Sequence, residues 1–181
     1  DSLVWKYVPR PHDNGQFGPF YAAMIETLDH NVGRIMKHLE ALDLDDNTLL
    51  VFFSDNGTSS AVAPHKPLRG FKGTLYEGGI RVPLIIKGPK IPGGIVDQTP
   101  VIGTDLYPTL LDLAGIPHPD AYPLDGLSLR TLLEGTGPLN REAIYWHFPA
   151  YLKGEYGMDT VWRTTQVGAI RKGEYKLMEV L

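Results

Sequence analysis

The chain has 181 residues, no cysteine and a formal net charge of −4. Disulfide staples and thiolate metal sites are therefore excluded, and an acidic chain without a basic stripe does not suit a nucleic-acid backbone. With 43% hydrophobic and 21% charged residues it has ordinary globular composition, and no apolar run approaches the ~20 residues that span a bilayer.

Residues 1–16 are mixed and Pro-rich, which predicts a loop. Asp1-Ser2-Leu3-Val4-Trp5 has neither the basic nor the apolar region of a signal peptide, and the absence of an initial Met leads to the expectation of a start inside a longer protein. Ile25, Leu28, Val32, Ile35, Leu39 and Leu42 then recur three or four apart, which predicts an amphipathic helix, with Pro19 suited to its first turn. The run Asp43 to Asn47 predicts a turn. Asp43, Asp45 and Asn47 alternate as at the start of an EF-hand loop, but Thr48 and Ser54 stand where that loop needs Gly and Glu.

Thr48 to Ser54 is continuously apolar up to its last residue, which predicts a strand buried on both faces, as in a parallel sheet under helices. A helix, a short loop and such a strand form the grammar of an α/β fold. Residues 55–81 form a long Gly-rich stretch, and loops of this length inside a compact domain are commonly functional. Pro83 to Lys87 predicts a second strand. Thr104 to Ala114 predicts a helix with Thr104 as N-cap and Gly115 as its stop, and Ser128 to Glu134 a shorter one closed by Gly135. Ala143 to Phe148, Val167 to Arg171 and Tyr175 to Val180 predict strands without intervening helices, the last two joined by a Gly173-Glu174 turn. The division expected is 1–138 as part of an α/β domain and 139–181 as the start of a small antiparallel subdomain.

Chemistry concentrates in two places. Phe52-Phe53-Ser54-Asp55-Asn56-Gly57 ends a strand in a carboxylate and an amide, at the strand end where open α/β sheets bind ligands. Asp55 and Asn56 supply hard oxygen donors, which suit Ca²⁺ or Mg²⁺ rather than zinc. By spacing alone an Asn-Gly turn is the commoner use, and Asn56-Gly57-Thr58 is also a glycosylation sequon. Farther on, Arg69-Gly70-Phe71-Lys72-Gly73 sets a lysine between glycines, where the ammonium and the backbone could approach an anion together. A solvated surface lysine is the commoner use of that pattern too. No Gly-Lys-Ser or Gly-Lys-Thr occurs, so this is not a Walker loop. Asp105 and Asp112 are better explained by helix capping and by the surface than by metal binding.

The segments LDHNVGRIMKHLEALDLDDNTLLVFFSDNG, PLRGFKGTLYEGGIRVPLIIKGP, TDLYPTLLDLAGIP and LDGLSL occur in this order. Together they resemble the formylglycine-dependent sulfatases, the arylsulfatase-like branch of the alkaline-phosphatase superfamily. The resemblance runs from about Tyr21 to the end and covers well under half of a typical member. It implies a mixed, mostly parallel sheet flanked by helices, and hydrolysis of sulfate esters on sulfated small molecules or glycans. It implies Asp55 and Asn56 as calcium ligands, Lys72 as a contact to the sulfate and the nucleophile, and His147 in YWHFPAY as lining for the substrate pocket. Ca²⁺ is the implied cofactor ahead of Mg²⁺, and the implied compartment is periplasmic, secreted or lysosomal.

The chain also departs from the family. The Cys-x-Pro-x-Arg or Ser-x-Pro-x-Arg signature, whose first residue becomes formylglycine, does not occur. His65-Lys66-Pro67-Leu68-Arg69 shares its Pro and Arg spacing without an oxidisable first residue. The paired aspartates that complete the calcium site are also missing. Phe71 stands where a glycine is common, and His65 where Asn is common. A phosphate or phosphonate ester hydrolase of the same superfamily is one alternative, and a non-catalytic role for the isolated chain is another.

Overall fold

A computed structural model describes residues 2–8, 18–59, 67–118, 121–150 and 166–180. The fold is α/β. Helix α1 (Ser2–Tyr7) is followed by the long α2 (Gly18–Ala41), strand β1 (Leu50–Phe53), the one-turn α3 (Glu77–Ile80), strand β2 (Leu84–Lys87), helices α4 (Leu106–Leu113) and α5 (Arg130–Leu133), and strands β3 (Ile144–Phe148), β4 (Val167–Lys172) and β5 (Tyr175–Val180). Two compact units are present. One comprises Asp1–Gly88, Trp146–Ala169 and Met178–Leu181; the other comprises Pro89–Tyr145 and Ile170–Leu177.

In the first unit, α2 is the helix that the 3.6-residue periodicity requires. It stops where Asp43 adopts φ +55° and Leu44 N donates back to Leu39 O at 3.0 Å, so the last turn wraps on itself. Residues 2–7, expected in a loop, form α1 instead. This stretch precedes the helix-breaking Pro9 and Pro11, and α1 packs on α2. Lys6 Nζ meets Glu26 Oε1 at 2.6 Å and Tyr7 OH donates to the other oxygen of the same carboxylate.

Strand β1 lies where the apolar run places it, but it pairs with β2 in antiparallel register, from Leu50 opposite Lys87 to Phe53 opposite Leu84. Its residues are only half-buried and Phe53 is exposed, so burial on both faces is not found in this chain. The physical reason is width: among the described residues this sheet has two strands. The same narrowness leaves part of the predicted apolar face of α2 open. Val32 and Leu39 are half-buried, whereas Ile25, Leu28, Ile35 and Leu42 are exposed.

Strands β3, β4 and β5 form a second sheet in that order. A two-residue connection joins β4 to β5, and only an antiparallel pair closes so tightly. Gly173 supplies the positive φ of +58° that this turn demands. The core of the first unit is Leu75, Val167 and Ala169, with Ile80, Trp146, Phe148 and Met178 packed against it. Leu75 and Ile80 come from the Gly-rich stretch, so that stretch is anchored on a hydrophobic core.

In the second unit, α4 is preceded by a 3-10 turn, Gly103–Asp105, and the expected cap residue Thr104 lies inside that turn. Asp105 precedes α4 without a side-chain cap to it and instead closes the 3-10 turn, accepting from Ile102 N at 2.9 Å. Gly115 and Gly135 end α4 and α5 with φ of +67° and +68°. The expected cap Ser128 lies one residue before the N-cap position, Leu129, and its Oγ accepts from Arg130 N at 3.2 Å.

Candidate functional site

The candidate site is built from the end of β1 and the loop that precedes α3. Beyond Phe53, Ser54 N still donates to Pro83 O at 3.3 Å, and Ser54 Oγ donates to Asn56 O at 3.0 Å. These two bonds fix the turn that presents Asp55 and Asn56. The Asp55 side chain is exposed and Asn56 is half-buried. Among the described residues, no hydrogen bond or ion pair takes up the Asp55 carboxylate or the Asn56 amide group. Their oxygens remain available to a cation.

Gly57 then passes directly against the second stretch. Its amide donates to Gly79 O at 2.8 Å, and a Cβ added here would lie 1.9 Å from Gly78 O. Such a separation is far inside van der Waals contact, so only glycine fits. The same holds on the other side of the interface: a Cβ on Gly78 would lie 2.2 Å from Gly70 O, and one on Gly79 2.1 Å from Thr74 O. Main chain packs on main chain, and three glycines make that possible.

Lys72 enters this frame through its own backbone. Its amide donates to Thr58 O at 2.8 Å, two residues beyond Asn56. Gly70 and Gly73 adopt φ of +79° and +86°, which turns the chain sharply on each side of the lysine. Phe71 is buried with 4% exposure and roots the loop while Lys72 stays exposed. Arg69 lies over the ring of Tyr76 at 4.2 Å from its centroid, beside the same loop.

The structure thus brings the Asp55–Asn56 turn and the Lys72 loop together through the Thr58 and Gly79 carbonyls. It places His147 on β3, where Ile144, Trp146 and Phe148 alternate with the exposed Tyr145 and His147. Trp146 and Phe148 pack against the Leu75 core, so His147 occupies the other face of the strand. His65 lies outside the described residues.

Sequence reasoning overlooked the polar centre of the second unit. Asp105 is fully buried and accepts from Ile102 N, from Leu127 N at 2.9 Å, and from both terminal nitrogens of Arg141. Placing it partly at the surface was wrong, because it is the hub on which three segments close. Thr109 Oγ1 donates to Asp105 O at 2.6 Å and accepts from Leu129 N at 2.9 Å, continuing the network. Asp112 does sit in a half-exposed position. Ser128, first, and Arg130 hold its carboxyl below the usual carboxylate range by hydrogen bonding to the charged form.

Comparison with known proteins decides the family. Residues 9–116 match the model of the family described as Sulfatase. The chain belongs to the sulfatase family. Residues 71–181 also match the model described as N-sulphoglucosamine sulphohydrolase, C-terminal. A curated sulfatase of Formosa agariphila is 38% identical over 146 residues, which is 73% of this chain and 26% of that protein. Human arylsulfatase A is 36% identical, covering 88% of this chain and 30% of its own length. The N-acetylglucosamine-6-O-sulfatase of Bacteroides thetaiotaomicron is 34% identical, covering 87% and 28%. A crystal structure described as Ps i-CgsB in complex with k-i-k-neocarrahexaose superposes with a TM-score of 0.80 at 32% identity, covering 99% of this chain and 37% of that one. The chain therefore spans roughly a quarter to a third of the proteins it matches, and its α/β architecture is that of the alkaline-phosphatase-like sulfatases.

Proposed function

We propose that this chain supplies part of the cation and sulfate site of a sulfate-ester hydrolase, the remaining groups coming from the rest of the sulfatase fold. The observation that carries the reading is the pair of backbone bonds, Gly57 N to Gly79 O and Lys72 N to Thr58 O, that couples the Asp55–Asn56 turn to the lysine loop. A carboxylate and an amide oxygen beside a lysine are the groups expected where a divalent cation and an oxyanion are bound next to each other.

Asp55 and Asn56 would hold Ca²⁺. The donor types fit: both are hard oxygens, and neither is spent on another partner among the described residues. Their number does not complete a shell, since calcium takes six to eight oxygens, so further ligands come from outside this chain. When bound, the cation supplies electrostatic stabilisation for oxygens that gain charge. The Lys72 ammonium does the same from the protein side, as a compact positive charge on a sulfate oxygen in a preorganised loop. The formylglycine nucleophile belongs to the part of the fold that this chain does not contain.

A sulfated glycan is the substrate class we favour. A relative named N-acetylglucosamine-6-O-sulfatase and a neighbour solved with a neocarrahexaose support it. We assign the protein to a periplasmic, secreted or lysosomal setting by the same kinship. Exposed His147 is proposed to contact the sugar rather than the sulfate.

The decisive experiment replaces Lys72 with Ala in the complete sulfatase. Turnover of an aryl sulfate should fall at least 100-fold, on the order of the loss when one preorganised oxyanion contact is removed, with the melting temperature unchanged. Retained turnover would reject the assignment of Lys72.

A further inference from the structure

We infer that Thr74 is a positioning residue for Lys72, an inference that rests on the reading of Lys72 as the holder of the sulfate. Three bonds tie Thr74 to Phe71, the residue immediately before the lysine. Thr74 N donates to Phe71 O at 3.0 Å, Thr74 Oγ1 donates to the same oxygen at 2.8 Å, and Phe71 N donates to Thr74 Oγ1 at 3.2 Å. One hydroxyl therefore serves both the N–H and the C=O of Phe71. Lys72 stands on the turn that this hydroxyl closes.

The hydroxyl has little room to move. Thr74 is buried, and a Cβ on Gly70 or Gly79 would come within 2.5 or 2.9 Å of its Oγ1. On the other side, the Lys72 amide is held by Thr58 O. The lysine backbone is thus fixed by Thr74 through Phe71 and by the strand-end turn through Thr58. The lysine side chain starts from its Cα, so a shift of that anchor moves the reach of the ammonium relative to Asp55 and Asn56. Displacement of about 1 Å in a catalytic group costs about 100-fold in rate.

The test uses Thr74→Val, which keeps the shape and deletes the hydroxyl, and Thr74→Ser, which keeps the hydroxyl and deletes a methyl group. Both are made in the complete sulfatase and compared with Lys72→Ala. The readouts are aryl sulfate turnover per folded molecule, the affinity for inorganic sulfate, and the melting temperature. Thr74→Val is expected to lower turnover about 10- to 100-fold and to weaken sulfate binding, while Thr74→Ser restores both towards the parent values. If Thr74→Val matches the parent per folded molecule in turnover and sulfate affinity while Lys72→Ala is inactive, Thr74 has no positioning role and the lysine reading survives. Failure of Thr74→Ser to recover more than Thr74→Val also overturns the proposal, because the hydroxyl is then not the operative group. Should Lys72→Ala itself keep full turnover and sulfate affinity, the underlying reading falls first.

Discussion

Arg141 reaches back 36 residues to grip Asp105, with Nη1 2.9 Å from Oδ2 and Nη2 bonded to Oδ1. The carboxylate has no solvent exposure and the Arg141 side chain retains 11%. Two backbone amides fill the remaining acceptor positions, so the charge is fully satisfied only while the arginine is present. Removing one partner of such a pair strands the other. Arg141→Ala should destabilise the protein by about 3–5 kcal/mol, measured by urea unfolding. A loss below about 1 kcal/mol, the range of exposed pairs, would show that water or another group takes the arginine's place.

Asp112 gives a pH-dependent increment. Its folded-state pKa lies below the ordinary aspartate value, chiefly through the Ser128 hydroxyl and then Arg130. A carboxyl with a depressed folded pKa stabilises the protein above its unfolded pKa and loses that stabilisation as pH falls through the folded one. The parent should therefore melt higher than Asp112→Asn at neutral pH, and the gap should shrink as pH falls below the unfolded carboxylate range and vanish once the folded carboxyl is also protonated. A gap that stays constant through the acid range would contradict this account.

Two glycines should respond oppositely to the same substitution. Gly57→Ala forces a Cβ to within 1.9 Å of a backbone oxygen, and the two stretches of the site must part. Gly33 lies within α2 and has nothing within 4 Å of an added Cβ, so Gly33→Ala should stabilise by about 0.5–1 kcal/mol through reduced backbone freedom. Thermal melting of both variants checks the pair; equal effects would mean that the contact at Gly57 is not rigid.

The chain by itself should show no aryl sulfatase activity: on the proposed reading Asp55 and Asn56 would supply only two of the six to eight oxygens calcium takes, and the sequence holds no oxidisable nucleophile signature. Phe20, Met24, Leu28 and Ile35 are all exposed and, spaced four or seven apart, form one stripe on α2. A continuous apolar stripe of this kind should bind a hydrophobic dye such as ANS. Replacing Met24 and Ile35 with Glu should lower that dye signal without loss of helix content. Turnover by the purified chain, or a dye signal indifferent to the double replacement, would refute the respective claim.

Periodic and local features were readable from residues alone. The spacing of α2, the apolar run of β1 and the Gly173-Glu174 turn each announce themselves within a few residues. The ordered motifs around Asp55 and Lys72 point to the sulfatases by sequence alone. Unreadable were features that depend on a distant partner. Nothing near Asp105 signals that Arg141 will meet it, and nothing in the β1 run says that β2 will pair antiparallel. The orientation of His147 depends on which face of β3 finds the Leu75 core. Thr74 was passed over because a threonine in a Gly-rich loop looks generic until its hydroxyl is seen bridging Phe71. The clustered glycines were the available clue, since close main-chain packing is the reason to place so many there.

The floor shared by the Asp55 turn and the Lys72 loop is main chain packed on main chain, with Gly57 against Gly78 and Gly79, and Gly78 against Gly70. Such a floor offers substitution almost nothing to vary. Sequence change is easier at the side chains beside this contact, such as the stacked Arg69 and Tyr76, so divergence would work around the glycine platform rather than through it.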